Sequence, residues 1–273
     1  MTEQPILVLG GTGKTGRKVA RQLAARGLAV RIGSRSATPA FDWQSPATWP
    51  AALDGVRAVY VSYQPDLGFP GARETIGAFA ETAVASGARR LVLLSGRGEE
   101  GAQASERALQ DSGADWTVLR AGWFNQNFSE GFFLDAIRAG ELALPTGDAV
   151  EAFVDTGDIA EVAVAALTDD RHIGETYELS GPRLLGFHEV TAELSRATGR
   201  DIRYLPIPEE SFRAFLADNQ LPPEFADLLA LITDGRNAQV VDGVRRVLGR
   251  APRDFADFAR DAAASGVWAA TGH

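Results

Sequence analysis

The 273-residue chain has no cysteine, which excludes disulfides, thiolate metal sites and cysteine nucleophiles. Its three histidines, His172, His188 and His273, are scattered and bring no carboxylate cluster with them, so no metal is expected. Lysine is nearly absent: Lys14 and Lys18 are the only two. The net charge is −9 and no basic stripe stands out, which argues against nucleic acid as a partner. No apolar run approaches the ~18 residues of a membrane span, and "MTEQP" enters the first apolar segment without a basic leader. Gly-x-Ser-x-Gly is missing, and no Ser-His-Asp spacing replaces it, which removes the simplest hydrolase. What remains is the expectation of a soluble, cytoplasmic protein, monomer or homodimer, that binds a small molecule.

What is present is a regular alternation of short apolar runs and amphipathic segments. "ILVLG" (6–10) reads as a buried strand, followed by a helix from about 14 to 26 that Gly27 ends. "AVRIGS" (29–34), "RAVYVS" (57–62), "RLVLLS" (90–95) and "DWTVLR" (115–120) read as further strands. Helices are expected over 71–86 and 102–112, and "FDW" closes what looks like a short extra strand. Such alternation predicts an α/β fold, a Rossmann doubly wound parallel sheet with right-handed crossovers. Beyond residue 121 the texture changes. "AFVDTGDIAEVAVAALTD" reads as a strand and a helix, with Asp155 and Asp158 as caps rather than acids and Thr156 or Asp158 as N-cap. "ETYELSGP" returns to the sheet, and amphipathic helices follow around the strand "IRYLPIP". The expected division is a nucleotide-binding core over 1–150, with 151–185 returning to its sheet, and a smaller, mostly helical lobe over 186–273. The amphipathic stretch 209–232 reads as a lid or a subunit contact.

The first turn carries the chemistry. "GGTGKTG" is Gly10-x-x-Gly13-x-x-Gly16, directly after a strand and opening a helix. Gly10 suits the tight turn, Gly13 the close approach of a pyrophosphate, and Gly16 the packing of helix on sheet. With Thr12, Lys14 and Thr15 between them, these residues are the candidate phosphate cradle, set on a helix N-terminus. The longer Walker spacing and its Lys-Ser/Thr are missing, which excludes that ATP site. At the end of the second strand, "IGSRS" puts Ser34 and Arg35 where an NAD enzyme carries an acid. An arginine there suits a 2′-phosphate, so NADP(H) is favoured, with NAD(H) as the alternative. Asp42 and Trp43 are candidates for bordering the adenine.

"GGTGKTG", "GSRS", "VLLSG", "LRAGWFNQNF" and "FVDTGDIAEVA", in this order over roughly 5–260, resemble an atypical short-chain dehydrogenase/reductase of the NmrA-like branch. Within that branch the chain is similar to the ergot-alkaloid reductases, the agroclavine and festuclavine dehydrogenases, and their bacterial relatives. The resemblance implies a bound nicotinamide dinucleotide and a substrate cleft between core and lobe. It implies Ser62, Tyr63 and Gln64 beside the cofactor, Ser95 and Gly96 near the nicotinamide, and the Trp123–Phe128 loop over the cleft. Tyr63, Gln64, Trp123, Asn127, Phe128 and Phe153 are then the candidate substrate contacts, while Phe132 and Phe133 read as core. The chain departs from the wider family in one respect. Residues 90–120 contain neither the tyrosine nor the lysine of the usual Tyr-x-x-x-Lys relay; Glu100 and Ala104 fall at those positions. Carbonyl reduction through that relay is disfavoured, whereas hydride addition to an iminium, quinone-like or enone carbon stays open. Ser95 and Glu100 are the candidate catalytic groups, Glu100 as an acid or base if its loop folds inward. Two rivals share the fold: an oxygenase tailoring aromatic polyketides, with the dinucleotide structural or absent, and a non-enzymatic NAD(P) sensor that binds a regulator.

Overall fold

The computed structural model describes residues 4–131, 133–221 and 223–269. In chain order the first half contains β1 (Ile6–Leu9), α1 (Gly16–Ala25), β2 (Val30–Gly33), α2 (Trp49–Leu53), β3 (Ala58–Val61), α3 (Ala72–Ala85), β4 (Arg90–Gly96), α4 (Glu100–Gln110) and β5 (Asp115–Ala121). The second half contains α5 (Leu134–Ala139), β6 (Glu141–Leu144), β7 (Val150–Glu151), α6 (Thr156–Thr168), β8 (Glu175–Leu179), β9 (Leu185–Gly186), α7 (Phe187–Thr198), β10 (Arg203–Pro206), α8 (Glu209–Asp218), α9 (Glu224–Thr233), α10 (Gly243–Leu248) and α11 (Phe255–Ala264).

The chain forms two compact units. The first comprises residues up to Ala121, Thr156–Leu179 and Gly243–Arg250, and the second comprises Gly122–Asp155, Ser180–Asp242 and the chain from Ala251 onward. The exchange points are therefore 121/122, 155/156, 179/180, 242/243 and 250/251, where the sequence suggested breaks at 150 and 185. The first unit holds one six-stranded sheet in the order β2-β1-β3-β4-β5-β8, with every pair parallel. β1, β3 and the middle of β4 are buried on both faces, which is why these strands read as unbroken apolar runs. "ETYELSGP" supplies β8, which pairs with β5 as its parallel edge neighbour. α10 was not visible as a helix in the sequence. It packs on β8, where Gly243 comes so close that a Cβ would lie 2.1 Å from the Glu178 carbonyl oxygen.

The "FDW" strand does not form. Residues 41–45 make a turn, in which the Asp42 carboxylate accepts the Gln44 amide at 3.0 Å and the Asp42 carbonyl accepts the Trp49 indole N–H at 2.9 Å. The turn offers its own backbone acceptors to local donors, and this competes with extended pairing. The second unit has a separate core, in which Phe128 and Phe153 are in ring contact with each other and each with Phe187 and Phe255. Two small sheets, parallel β6–β10 and antiparallel β7–β9, accompany its helices. Among the described residues, no helix is long and apolar enough to cross a membrane.

Candidate functional site

The order of strands reverses between β1 and β3, because β1 pairs with β2 on one side and β3 on the other. In open α/β sheets this switch point, at the carboxyl ends of the strands, is where ligands bind. The glycine turn sits there. Gly10 has φ +63°, and a Cβ on it would lie 3.3 Å from both Cβ and Oγ of Ser62. Ser62, at the end of β3, is thereby packed against the turn. The Gly13 amide donates to the Gly10 carbonyl at 2.8 Å. A Cβ on Gly16 would lie 2.2 Å from that same carbonyl oxygen, so only hydrogen fits. At Gly13, by contrast, an added Cβ would meet only the Gly10 oxygen at 3.2 Å, which leaves the outer side of the turn accessible to a ligand.

The start of α1 is arranged for an anion it does not itself contain. Its first turn has no acidic residue, and Thr15 makes no side-chain cap. The Thr15 hydroxyl instead accepts a bond from the buried Tyr60 hydroxyl at 2.9 Å, and burial holds that phenol far above its ordinary pKa. The Arg17 and Lys18 amides donate to the Gly13 and Thr15 carbonyls at 3.3 and 3.0 Å, and the positive end of the helix dipole favours phosphate. Lys18 is directed elsewhere, to Thr156 Oγ1 at 2.6 Å on α6. The donor set fits a dinucleotide pyrophosphate: a cradle with room for backbone approach, amide donors, and no competing carboxylate. Thr12 is exposed, and Lys14 is half-buried.

β2 is followed directly by Ser34, half-buried, and Arg35, exposed, and neither is an acid. Trp43 does not stand free beside this end. It packs with Phe41, Trp49, Phe79 and Tyr63, its centroid 5.1 Å from the Tyr63 ring, so Trp43 and Tyr63 form one wall of the core. Gln64 is exposed on the following loop.

The turn after β4 holds what the sequence reading missed. Ser95 is buried, and its Oγ donates to Glu106 Oε1 at 2.6 Å. Arg120 binds the two Glu106 oxygens, Nε to Oε1 at 3.0 Å and Nη2 to Oε2 at 2.7 Å. Glu178 stands 3.3 Å from the Arg97 Nε and 3.7 Å from the Arg120 Nη1. Glu100 points to solvent, and Glu99 is the acid that turns inward. A Cβ on Gly96 would lie 2.1 Å from Glu99 Oε1, so the carboxyl group rests directly on the Gly96 backbone. Asp66 is its hydrogen-bond partner. Burial first, then Asp66 and Glu106, push the Glu99 carboxyl up to about 8. A signal for Glu106 was present: Ala102, Ser105, Glu106 and Leu109 are the buried face of α4, at helical spacing.

In the second unit, Phe128 and Phe153 are core residues at 0% and 2% exposure, so these two expected substrate contacts serve packing. Phe133 is likewise core and stacks on half-buried Trp123 at 6.2 Å. Asn127 is half-buried, its amide donating to the Phe124 carbonyl at 3.0 Å. Asp155 precedes α6 and accepts the Gln126 Nε2 at 2.7 Å. Asp158, in the first unit, lies inside the first turn of α6 and is paired with Arg250 at 2.7 Å, an ion pair rather than an N-cap. His172 bonds the Tyr177 hydroxyl through Nδ1 at 2.8 Å, and His188 packs edge-on against Tyr204. Phe132 and His273 lie outside the described residues. Among the described residues, no group of three His, Asp or Glu could hold a metal ion.

Comparison with known proteins bears on the same features. Residues 10–170 match the NAD(P)H-binding family model and residues 104–252 the NmrA-like family model. The chain is 35% identical to the NAD(P)H azoreductase of Xenophilus azovorans, over 95% of this chain and 98% of the relative. It is 32% identical to the agroclavine dehydrogenase of Claviceps fusiformis, over 94% and 96%. Among solved structures, the Citrobacter triphenylmethane reductase complexed with NADP(H) superposes with a TM-score of 0.75 at 19% identity, over 94% of this chain and 99% of that one. The chain belongs to the NmrA-like family of NAD(P)H-binding oxidoreductases.

Proposed function

We infer that the protein transfers hydride from NADPH, in preference to NADH, to an electrophilic centre of a bulky aromatic or polycyclic small molecule. Iminium, quinone-like and enone carbons are the substrate classes. The observation that carries this reading is the glycine cradle at the β1/β3 switch point, open at Gly13 and free of acid in its first helical turn. Arg35, with no acid at the end of β2, supports the 2′-phosphate. The missing tyrosine and lysine in 90–120 support substrates that are already electrophilic. The names of the azoreductase and agroclavine dehydrogenase relatives support conjugated, nitrogen-bearing or polycyclic acceptors.

The bound cofactor supplies the hydride; the chain supplies position. The cradle amides hold the pyrophosphate, and Gly16 lets the helix approach closely enough for them to do so. Ser62, packed on Gly10, ends β3 beside the turn. Such a site accelerates reaction by orientation and exclusion of water more than by covalent chemistry.

The test follows absorbance of reduced nicotinamide with an iminium salt, a quinone, an enone and an azo dye, alongside an oxygen electrode. Cofactor oxidation dependent on one of these acceptors, faster with NADPH than with NADH, is expected. Oxygen uptake without cofactor consumption would point to an oxygenase. Tight NADPH binding with no turnover on any acceptor would point to a sensor.

A further inference from the structure

Hydride addition leaves different products according to the acceptor. An iminium becomes a neutral amine and needs nothing more. A quinone or an azo bond becomes an anion, and a proton has to reach its oxygen or nitrogen. The chain lacks the usual donor, yet after β4 it turns a half-buried carboxyl group inward with another carboxyl as its partner.

Three contacts build that arrangement. Gly101, in the first turn of α4, approaches the loop after β3 so closely that a Cβ would lie 2.6 Å from the Gly68 carbonyl oxygen. The buried Ser105 hydroxyl donates to the Leu67 carbonyl at 3.0 Å and fixes the same approach. Asp66 is oriented by the Gly68 amide, which donates to its Oδ1 at 2.7 Å. The Glu99 carboxyl then lies between Gly96, at 2.1 Å from the Cβ position, and Gly68, at 3.4 Å. Glu99 occupies the N-cap position of α4 but does not cap it with its side chain. The charged groups around it are Asp66 and Glu106. The nearby arginines are engaged with other acids, Arg120 with Glu106 and Arg97 with Glu178. Two carboxyl groups in contact cannot both ionise readily, so one proton is retained between them. β4 lies next to β3, one strand beyond the switch point, and the turn leaves its carboxyl end.

We propose that Glu99, hydrogen-bonded to Asp66 and seated on Gly96, is the general acid of this oxidoreductase for acceptors that become anions on reduction. The O–H bond of Glu99 breaks, and an O–H or N–H bond forms on the substrate atom that holds the new electron pair. The carboxylate left behind is reprotonated by solvent. The inference rests on the hydride-transfer reading and adds the source of the proton.

The sign of the pH dependence follows. Glu99 donates only while protonated, so quinone or azo reduction falls as pH rises through about 8. Iminium reduction lacks that limb. Removing the Asp66 charge with Asp66→Asn lets Glu99 ionise more easily and moves the limb to lower pH.

The experiment uses the full chain with NADPH and compares a quinone with an iminium salt. Glu99→Gln is expected to slow quinone reduction about 100-fold, the lower end of general acid contributions, and to leave iminium reduction and NADPH affinity nearly unchanged. A second readout does not depend on turnover. Infrared difference titration of the NADP+-loaded protein is expected to show a protonated carboxyl at pH 7 that disappears in Glu99→Gln and titrates at lower pH in Asp66→Asn. Equal slowing of both acceptors, unchanged quinone reduction in Glu99→Gln, or a wild-type protein without that protonated carboxyl would each overturn the proposal. If the wild type fails to oxidise NADPH with any of the acceptors, the hydride-transfer reading itself fails, and the infrared result still decides whether Glu99 holds its proton.

Discussion

Two glycine-rich turns follow parallel strands of the same sheet, "GGTGKTG" after β1 and "GRGEEG" after β4, and each opens a helix. Their glycines do opposite things. In the first turn the close approach is backbone to backbone, Gly16 against the Gly10 carbonyl, and the side beyond Gly13 is left accessible. In the second the space beside Gly96 is filled by the chain's own carboxyl group, Glu99. The electrostatics differ in the same sense. The first turn of α1 carries no acid, whereas α4 starts with Glu99 and Glu100. One helix N-terminus is kept for an external anion, and the other is supplied with acids from its own sequence. A glycine-rich turn is thus defined as a ligand site by what fills it, not by the glycines alone.

The comparison can be broken most severely at Gly16. Gly16→Ala puts a methyl group against a backbone carbonyl that cannot rotate away, and a loss of ~3 kcal/mol is expected, together with loss of the thermal shift on adding NADPH. At Gly96→Ala the nearest atoms are those of the Glu99 carboxyl end, which can move, so the variant is expected to keep the NADPH shift while displacing the acid. If both variants lost cofactor equally, the two turns would not be functionally distinct.

A smaller effect is expected beneath the second turn. Arg120→Met strands the Glu106 carboxylate, which is 2% exposed, without its bidentate partner. Fully buried pairs lose ~3–5 kcal/mol in this way, but Arg120 is 25% exposed, so about 2 kcal/mol is expected in chemical denaturation. Next comes Tyr60→Phe, which removes the bond to Thr15 beneath the first turn. A loss of ~1 kcal/mol in the same measurement is expected, with the fold otherwise intact.

A further effect separates the two turns through pH. The Glu99 carboxyl is raised from 4.5 to about 8 in the folded protein, so between these values the native state binds more protons than the unfolded chain. This carboxyl's contribution to stability therefore falls as pH rises from about 4.5 to about 8 and is flat above. Wild type and Glu99→Gln, unfolded in denaturant at a series of pH values, are expected to diverge across that window, the variant gaining relative to the wild type. A constant difference would show that Glu99 is ionised throughout.

Much of the first turn was legible because its determinants are local. Strand, glycine spacing and helix lie within residues 6–25, and the structure keeps all three in register. The parallel sheet was legible for the same reason, since strands buried on both faces read as continuous apolar runs. The second turn was not legible. Sequence put forward Glu100, but the inward acid is Glu99, because Gly68 and Gly101 bring the loop after β3 against α4 on that side. Phe128, Phe153 and Trp43 carried aromatic character that suits a ligand or a core equally; Phe128 and Phe153 are buried in the core, whereas Trp43 is half-buried against it.

The alternation of strands and helices, the glycine spacing, and the lack of tyrosine and lysine between residues 90 and 120 are short-range patterns or simple counts, and the sequence carries them unaided. Which acid turns inward, and what surrounds it, is fixed by the packing of segments distant in sequence. Asp66, Glu99 with Glu106, Arg120 and Glu178 come from four separate segments, and they meet only once β3, β4, β5 and β8 lie side by side.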